Sequence, residues 1–194
     1  MALISLSNNS PAFTPSHKQQ LLQLAGESIK KGLCGEMLNV RAIDYPEPLR
    51  VLRASFVTLH LDENLRGCIG TLEARQTLVQ DVASNAYNAA FRDPRFSTLT
   101  WPEYERLDIH ISVLSLPEPL QFSTEEELLT QLRPRVDGLI LEEDYRRGTF
   151  LPSVWDQLAD PREFLRQLKH KAGLPPDYWS NRIRVQRYTV ESIP

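Results

Sequence analysis

A chain of 194 residues that is 41% hydrophobic and 24% charged lies within the globular range and can bury roughly two thirds of its unfolded surface. The net charge of −3 excludes a general nucleic-acid binder, although arginine makes up 17 of the 22 basic residues and suits local carboxylate or phosphate sites. No run approaches the roughly 20 apolar residues that span a bilayer, and the start lacks a signal-peptide pattern. Two cysteines, Cys34 and Cys68, point to a reducing, cytoplasmic setting and not to a disulfide framework.

Residues 1–13 read as a flexible leader. Thr14 caps a helix with Pro15 in its first position; Leu21, Leu22, Ala25 and Ile29 form the inward stripe and Gly32 the stop. Asp44–Pro48, with two prolines, reads as a loop. Ala54–Leu61 and Leu65–Leu72 form a hairpin around the turn Asp62-Glu63-Asn64. Thr77 and Gln80 make a capping box opening a helix to about Phe91. Its inner face carries Val79, Val82, Ala83, Ala86 and Ala90, its outer face Asp81, Ser84, Asn85 and Asn88.

Leu107–Ser115 alternates as a half-buried strand, with Asp108, His110 and Ser112 on the polar side. Ser123 and Glu126 cap a short helix bearing Leu128, Leu129 and Leu132. Asp137–Glu142 and Arg146–Leu151 read as strands. Asp160 and Pro161 start a helix that buries Phe164, Leu165 and Leu168 and stops at Gly173. Arg182–Val190 closes the chain as one strand, with a phase slip between Val185 and Tyr188 that suggests a bulge. Strand pairs without an intervening helix favour α+β over a doubly wound sheet, as a single compact domain over residues 14–194.

The segment Leu65–Thr71 is the strongest candidate for chemistry. On a regular strand Arg66 and Cys68 share a face, with Cα atoms about 6.6 Å apart, and a guanidinium there favours the thiolate. Gly67 and Gly70 leave bare backbone for a ligand, with Thr71 beside them, so Cys68 is a candidate nucleophile or part of an anion-binding strand. The competing reading is a buried structural cysteine with glycines at a bulge or tight crossing. Cys34 has no such neighbours and reads as structural. In Phe91–Phe96, Arg92 and Arg95 flank Asp93: either one arginine clamps an anion while Asp93 orients it, or Arg92 neutralises the carbonyl end of its helix.

His17, His60, His110 and His170 lack zinc-like spacing, so no metal site is expected. His60 and His110 can meet on adjacent strands but read as surface histidines. No Walker loop, G-x-G-x-x-G, G-x-S-x-G or H-E-x-x-H occurs. Glu125, Glu126 and Glu127 suit the first turn of a helix and need no further meaning.

Taken together, Leu65-Arg66-Gly67-Cys68-Ile69-Gly70-Thr71, Ala90–Phe96, Ile111–Ser115, Gly138-Leu139-Ile140, Phe150-Leu151-Pro152 and Lys171–Pro175 strongly resemble the AMMECR-type family, known in microbes as protein A of the AmmeMemoRadiSam system. The resemblance runs from about Leu21 to Ile193. Two positions depart from it: Ser153 stands where the family commonly has Gln, and His110 where it often has Glu.

The resemblance implies an α+β architecture with a curved mixed or antiparallel sheet flanked by helices, and two related β-rich halves forming a cleft near Cys68. It also implies a Memo-like protein and a radical S-adenosylmethionine enzyme as partners. It brings no firmly established activity and names no cofactor. Two readings of function stand. One is a site for a small anionic or nucleotide-like ligand with Cys68 as nucleophile and Arg66 and Arg92 as anion contacts. The other is a non-enzymatic adaptor for those partners. The charge balance argues against RNA binding.

Overall fold

A computed structural model of the chain describes residues 13–194; the leader expected over 1–13 lies outside them except for Phe13. That residue is no loose leader. It packs against the first core, and its N–H reaches a Glu191 carboxylate oxygen at 3.4 Å.

In chain order the helices are α1 (Pro15–Leu33), α2 (Glu47–Arg50), α3 (Leu78–Phe91), α4 (Trp101–Tyr104), α5 (Glu125–Gln131) and α6 (Pro161–Lys171). The strands are β1 (Ser55–Leu61), β2 (Asn64–Gly70), β3 (Leu107–Leu114), β4 (Glu118–Pro119), β5 (Gly138–Glu143), β6 (Arg146–Phe150), β7 (Arg184–Tyr188) and β8 (Val190–Ile193). They build two antiparallel four-stranded sheets, ordered β2-β1-β3-β8 and β4-β7-β5-β6, which is α+β as expected. The chain gathers into two compact units, one of residues up to Ser115 plus Glu191–Pro194, the other Leu116–Val190.

In the first unit, Thr14 caps α1 by accepting from the His17 N–H at 3.2 Å, with Pro15 in the first turn. The expected stop at Gly32 is overturned. The helix runs on to Leu33; Gly32 lets the Phe91 ring pack close, since a Cβ there would sit 2.2 Å from it, and the chain turns out at Gly35 with φ +78°. The core joins α1 and α3 to the inner face of the sheet through Leu21, Ile29, Val57, Leu59, Val82, Ala86 and Ile111.

The hairpin turn is two residues, not three. Asp62 and Glu63 both have positive φ (50° and 65°), the left-handed pair whose twist suits a short hairpin. The pairing carries a bulge: Leu59 faces Gly67 and His60 faces Leu65, leaving Arg66 as the extra residue.

Two residues expected on the outer face of α3, Asp81 and Asn85, are buried at 1% and 3% exposure. The Asp81 carboxylate accepts from the Ser55 N–H at 2.8 Å, the Ser55 hydroxyl at 2.6 Å, the Thr71 hydroxyl at 2.8 Å and the Asn85 amide at 2.9 Å. A buried carboxylate satisfied so fully fastens α3 to the start of β1 and the end of β2.

In the second unit, Trp155 stacks on Phe164 at 3.7 Å and donates its ring N–H to the Asp137 carbonyl at 2.7 Å. The cap of α5 is Thr124, one residue later than expected, accepting from the Glu127 N–H at 3.2 Å. The expected final strand with a bulge is two strands: it breaks at Thr189, β7 belonging to the second sheet and β8 to the first. No bulge separates Val185 from Tyr188: β7 pairs with β5 in unbroken register, Val185 facing Leu141 and Tyr188 facing Gly138.

Candidate functional site

The strand β2 lies at the edge of its sheet, where unpaired N–H and C=O groups need covering. At Cys68 the loop after α3 supplies the cover. The Cys68 N–H donates to Asp93 Oδ2 at 2.9 Å, and Arg95 Nη2 donates to the Cys68 carbonyl at 3.2 Å. The two covering residues hold one another, with Arg95 Nε and Nη2 donating to Asp93 at 2.9 and 2.7 Å. Arg95 also gives its backbone N–H to Asp93 Oδ1 at 3.1 Å. Pro94 between them forbids helix continuation, so α3 ends and the loop folds back.

Asp93 is 4% exposed. The Arg95 guanidinium, helped by the Cys68 and Arg95 N–H groups, holds its carboxyl far below the ordinary aspartate range although burial opposes this. Arg95 keeps 54% of its side chain exposed. It therefore presents cationic surface beside the half-buried Cys68.

The Cys68 thiol is on the sheet face away from α3. Its neighbour Gly67 points toward α3, where a Cβ would meet the Ala89 carbonyl oxygen at 2.2 Å, and successive residues alternate. On the outer face the Thr58 hydroxyl donates to Cys68 Sγ at 3.3 Å. Thr58 pairs with Cys68 on one side and with His110 on the other, so all three lie in one row across the sheet.

Arg66 occupies a different place from the one simple alternation implies. The bulge turns it aside, and Nε and Nη2 clasp Glu103 at 2.8 and 3.3 Å while Nη2 also donates to the Ser97 carbonyl at 2.8 Å. It is 8% exposed, and Nη1 is buried without a hydrogen-bond partner among the described residues. Arg66, with the Thr100 hydroxyl and N–H, lowers the Glu103 carboxyl to about 2. The cation beside Cys68 is thus Arg95, and Arg66 ties β2 to α4.

The remaining candidates separate. Arg92 is exposed and lies over the Tyr87 ring at 5.4 Å; the arginine that Asp93 orients is Arg95. Gly70 packs on Phe56, whose ring would meet a Cβ at 2.2 Å, so the side-chain sides of both glycines are filled by the protein itself and not left open for a ligand. Thr71 belongs to the Asp81 network. Sequence reasoning missed Thr58 and Glu103. Thr58 was reachable through the hairpin register; Glu103 belongs to a Thr100–Glu103 capping box, but its pairing with Arg66, 37 residues away, carries no local signal.

A family model described as AMMECR1 matches residues 22–193. A protein of Methanothermobacter thermautotrophicus is 37% identical over 173 residues, covering 88% of this chain and 90% of its own length. One from Methanocaldococcus jannaschii is 35% identical, covering 84% of this chain and 82% of its own. The crystal structure of an uncharacterized protein from Pyrococcus horikoshii superposes with a TM-score of 0.75 at 33% identity, covering 90% of this chain and 89% of that one. A match of that extent leaves one conclusion: the chain belongs to the AMMECR1 family.

Proposed function

We propose that the outer face of β2 at Cys68 is the working site, in which Arg95 attracts the charged group of a small anionic or nucleotide-like ligand and Cys68 acts as the nucleophile. The observation that carries this reading is the clamp on Cys68. Asp93 and Arg95 hold both backbone polar atoms of one half-buried cysteine, while about half of the Arg95 side chain stays exposed to solvent. A thiol fixed in place beside a fixed cation is prepared for an anionic electrophile, because binding and bond formation then need little reorganisation. The Thr58 hydroxyl, which donates to the sulfur at 3.3 Å, helps to hold the thiol in place.

Such a site needs a reduced thiol, in keeping with the cytoplasmic setting expected from two free cysteines. The family resemblance adds a Memo-like protein and a radical S-adenosylmethionine enzyme as the proposed partners, either of which can supply or consume the ligand.

Protection of Cys68 from alkylation tests the reading. Inorganic pyrophosphate is expected to slow alkylation at Cys68 but not at the exposed Cys34, with protection lost in Arg95→Ala. Absence of protection by phosphate-type and dicarboxylate anions alike contradicts it. Capture of the two partner proteins that survives Cys68→Ser but fails in Arg95→Glu shifts the function to an adaptor.

A further inference from the structure

We infer that the outer face of β1 and β3 carries a site for a divalent transition-metal cation, built by His60, Asp108 and His110. His60 on β1 pairs directly with Asp108 on β3, and His110 follows two residues later, so all three side chains stand on one face of the sheet. One donor atom from each lies within 4.8 Å of the others. The two imidazoles meet edge to face, with centroids 5.0 Å apart and an interplanar angle of 82°, and are not stacked. His110 Nε2 already contacts Asp108 Oδ2 at 2.7 Å.

The dimensions suit a metal. Bonds of about 2.0–2.2 Å to a tetrahedral ion put neighbouring donors roughly 3.3 Å apart. The 2.7 Å contact must open slightly and the widest gap, at most 4.8 Å, must close by no more than about 1.5 Å. Side-chain rotation can supply both movements, since the His110 and Asp108 side chains are 40% and 68% exposed. The strands need not move. His60 sits on β1, hydrogen-bonded to a strand on each side, which fixes the spacing of the three Cα positions.

The donor set chooses the class of ion. Two neutral imidazoles and one carboxylate suit zinc, iron, cobalt or nickel, whereas calcium and magnesium favour all-oxygen shells. Three protein donors leave a coordination position for water or a ligand, the arrangement found where a metal does more than hold a fold together. The site shares its face with Cys68, since Thr58 pairs with both Cys68 and His110. It stands or falls independently of the thiol reading.

Zinc and cobalt uptake by the untagged full chain, measured by calorimetry in a Cys34→Ser/Cys68→Ser background so that thiols take no part, tests the inference. The expected result is one equivalent bound, with the ring signals of His60 and His110 shifting together in histidine-selective NMR. His60→Ala and His110→Ala should each weaken uptake by on the order of tenfold or more, and the double variant should abolish it. Metal-free melting is expected to stay close to the parent, because the side chains are partly exposed, and that separates lost binding from lost folding. No saturable uptake at sub-millimolar zinc overturns the inference. So does uptake that His60→Ala/His110→Ala leaves unchanged.

Discussion

The Asp93 carboxylate and the Cys68 N–H, 25 residues apart in sequence, meet at 2.9 Å, and this bond closes the edge of the first sheet at its cysteine. It joins the two most distinctive segments of the chain, Leu65–Thr71 and Ala90–Phe96. Cys68 depends for its position on a loop that no local pattern in β2 encodes.

Asp93→Asn keeps an acceptor for the Cys68 N–H but releases Arg95. A net cost of about 1–3 kcal/mol is expected for a buried group whose charged hydrogen bonds are weakened. The pH dependence follows from the direction of the shift. The Asp93 carboxyl titrates below its unfolded value of about 3.9, so its contribution is complete above that pH and is lost as pH falls through the folded value. Urea midpoints across acid pH should fall more gently in Asp93→Asn than in the parent.

Glu103→Ala leaves the Arg66 guanidinium buried without its carboxylate. Breaking a buried pair costs about 3–5 kcal/mol, and the expectation here is about 2–4, because the Glu103 side chain keeps 26% of its surface. Arg66→Met/Glu103→Leu should lose less than Glu103→Ala, since it removes both charges together. Denaturant midpoints of the three proteins decide; equal losses contradict the ion-pair account.

Gly67→Ala and Gly35→Ala separate packing from backbone conformation. At Gly67 the new methyl would stand 2.2 Å from the Ala89 backbone oxygen, so strand and helix must part, at a cost of about 3 kcal/mol or more. At Gly35 nothing lies within 4 Å and only the φ of +78° opposes the change, for about 1–2 kcal/mol. Thermal melts should rank them in that order. A Gly67→Ala protein as stable as the parent would instead support an open strand.

Asp81→Ala removes the acceptor shared by Ser55, Thr71 and Asn85 and leaves their donors buried. The expected loss is about 3 kcal/mol or more, against about 1 for Thr71→Val, which removes one donor. Chemical denaturation measures both.

Much of this architecture was legible in the chain itself. The hairpin, the capping box at Thr77, the alternating β3 and the α6 boundaries at Asp160 and Gly173 rest on local pattern, which survives folding. Asp81 and Asn85 misled because period alone ranks a polar residue as outward, while Ser55 and Thr71 had partners waiting for them. The Arg66 bulge was hidden because it depends on pairing with β1, and a one-residue slip redirects the side chain. Of the candidate site, Cys68, Asp93 and Arg95 came together. The cation beside the thiol was assigned to the wrong arginine, because the Arg66 partner, Glu103, lies on a helix that sequence reading did not predict.

The central claim, a thiol beside an anion-attracting arginine, is tested most directly by alkylating Cys68 with iodoacetate and with iodoacetamide at low ionic strength. The two reagents differ mainly in charge, and the exposed Cys34 is an internal reference. An opposite charge a few ångströms away in partly aqueous surroundings is worth on the order of 1 kcal/mol, or roughly fivefold in rate. The account predicts an iodoacetate-to-iodoacetamide ratio several-fold higher at Cys68 than at Cys34, falling to the Cys34 value in Arg95→Ala and shrinking with added salt. Equal ratios at the two cysteines, or a high ratio at Cys68 that Arg95→Ala leaves intact, would contradict it.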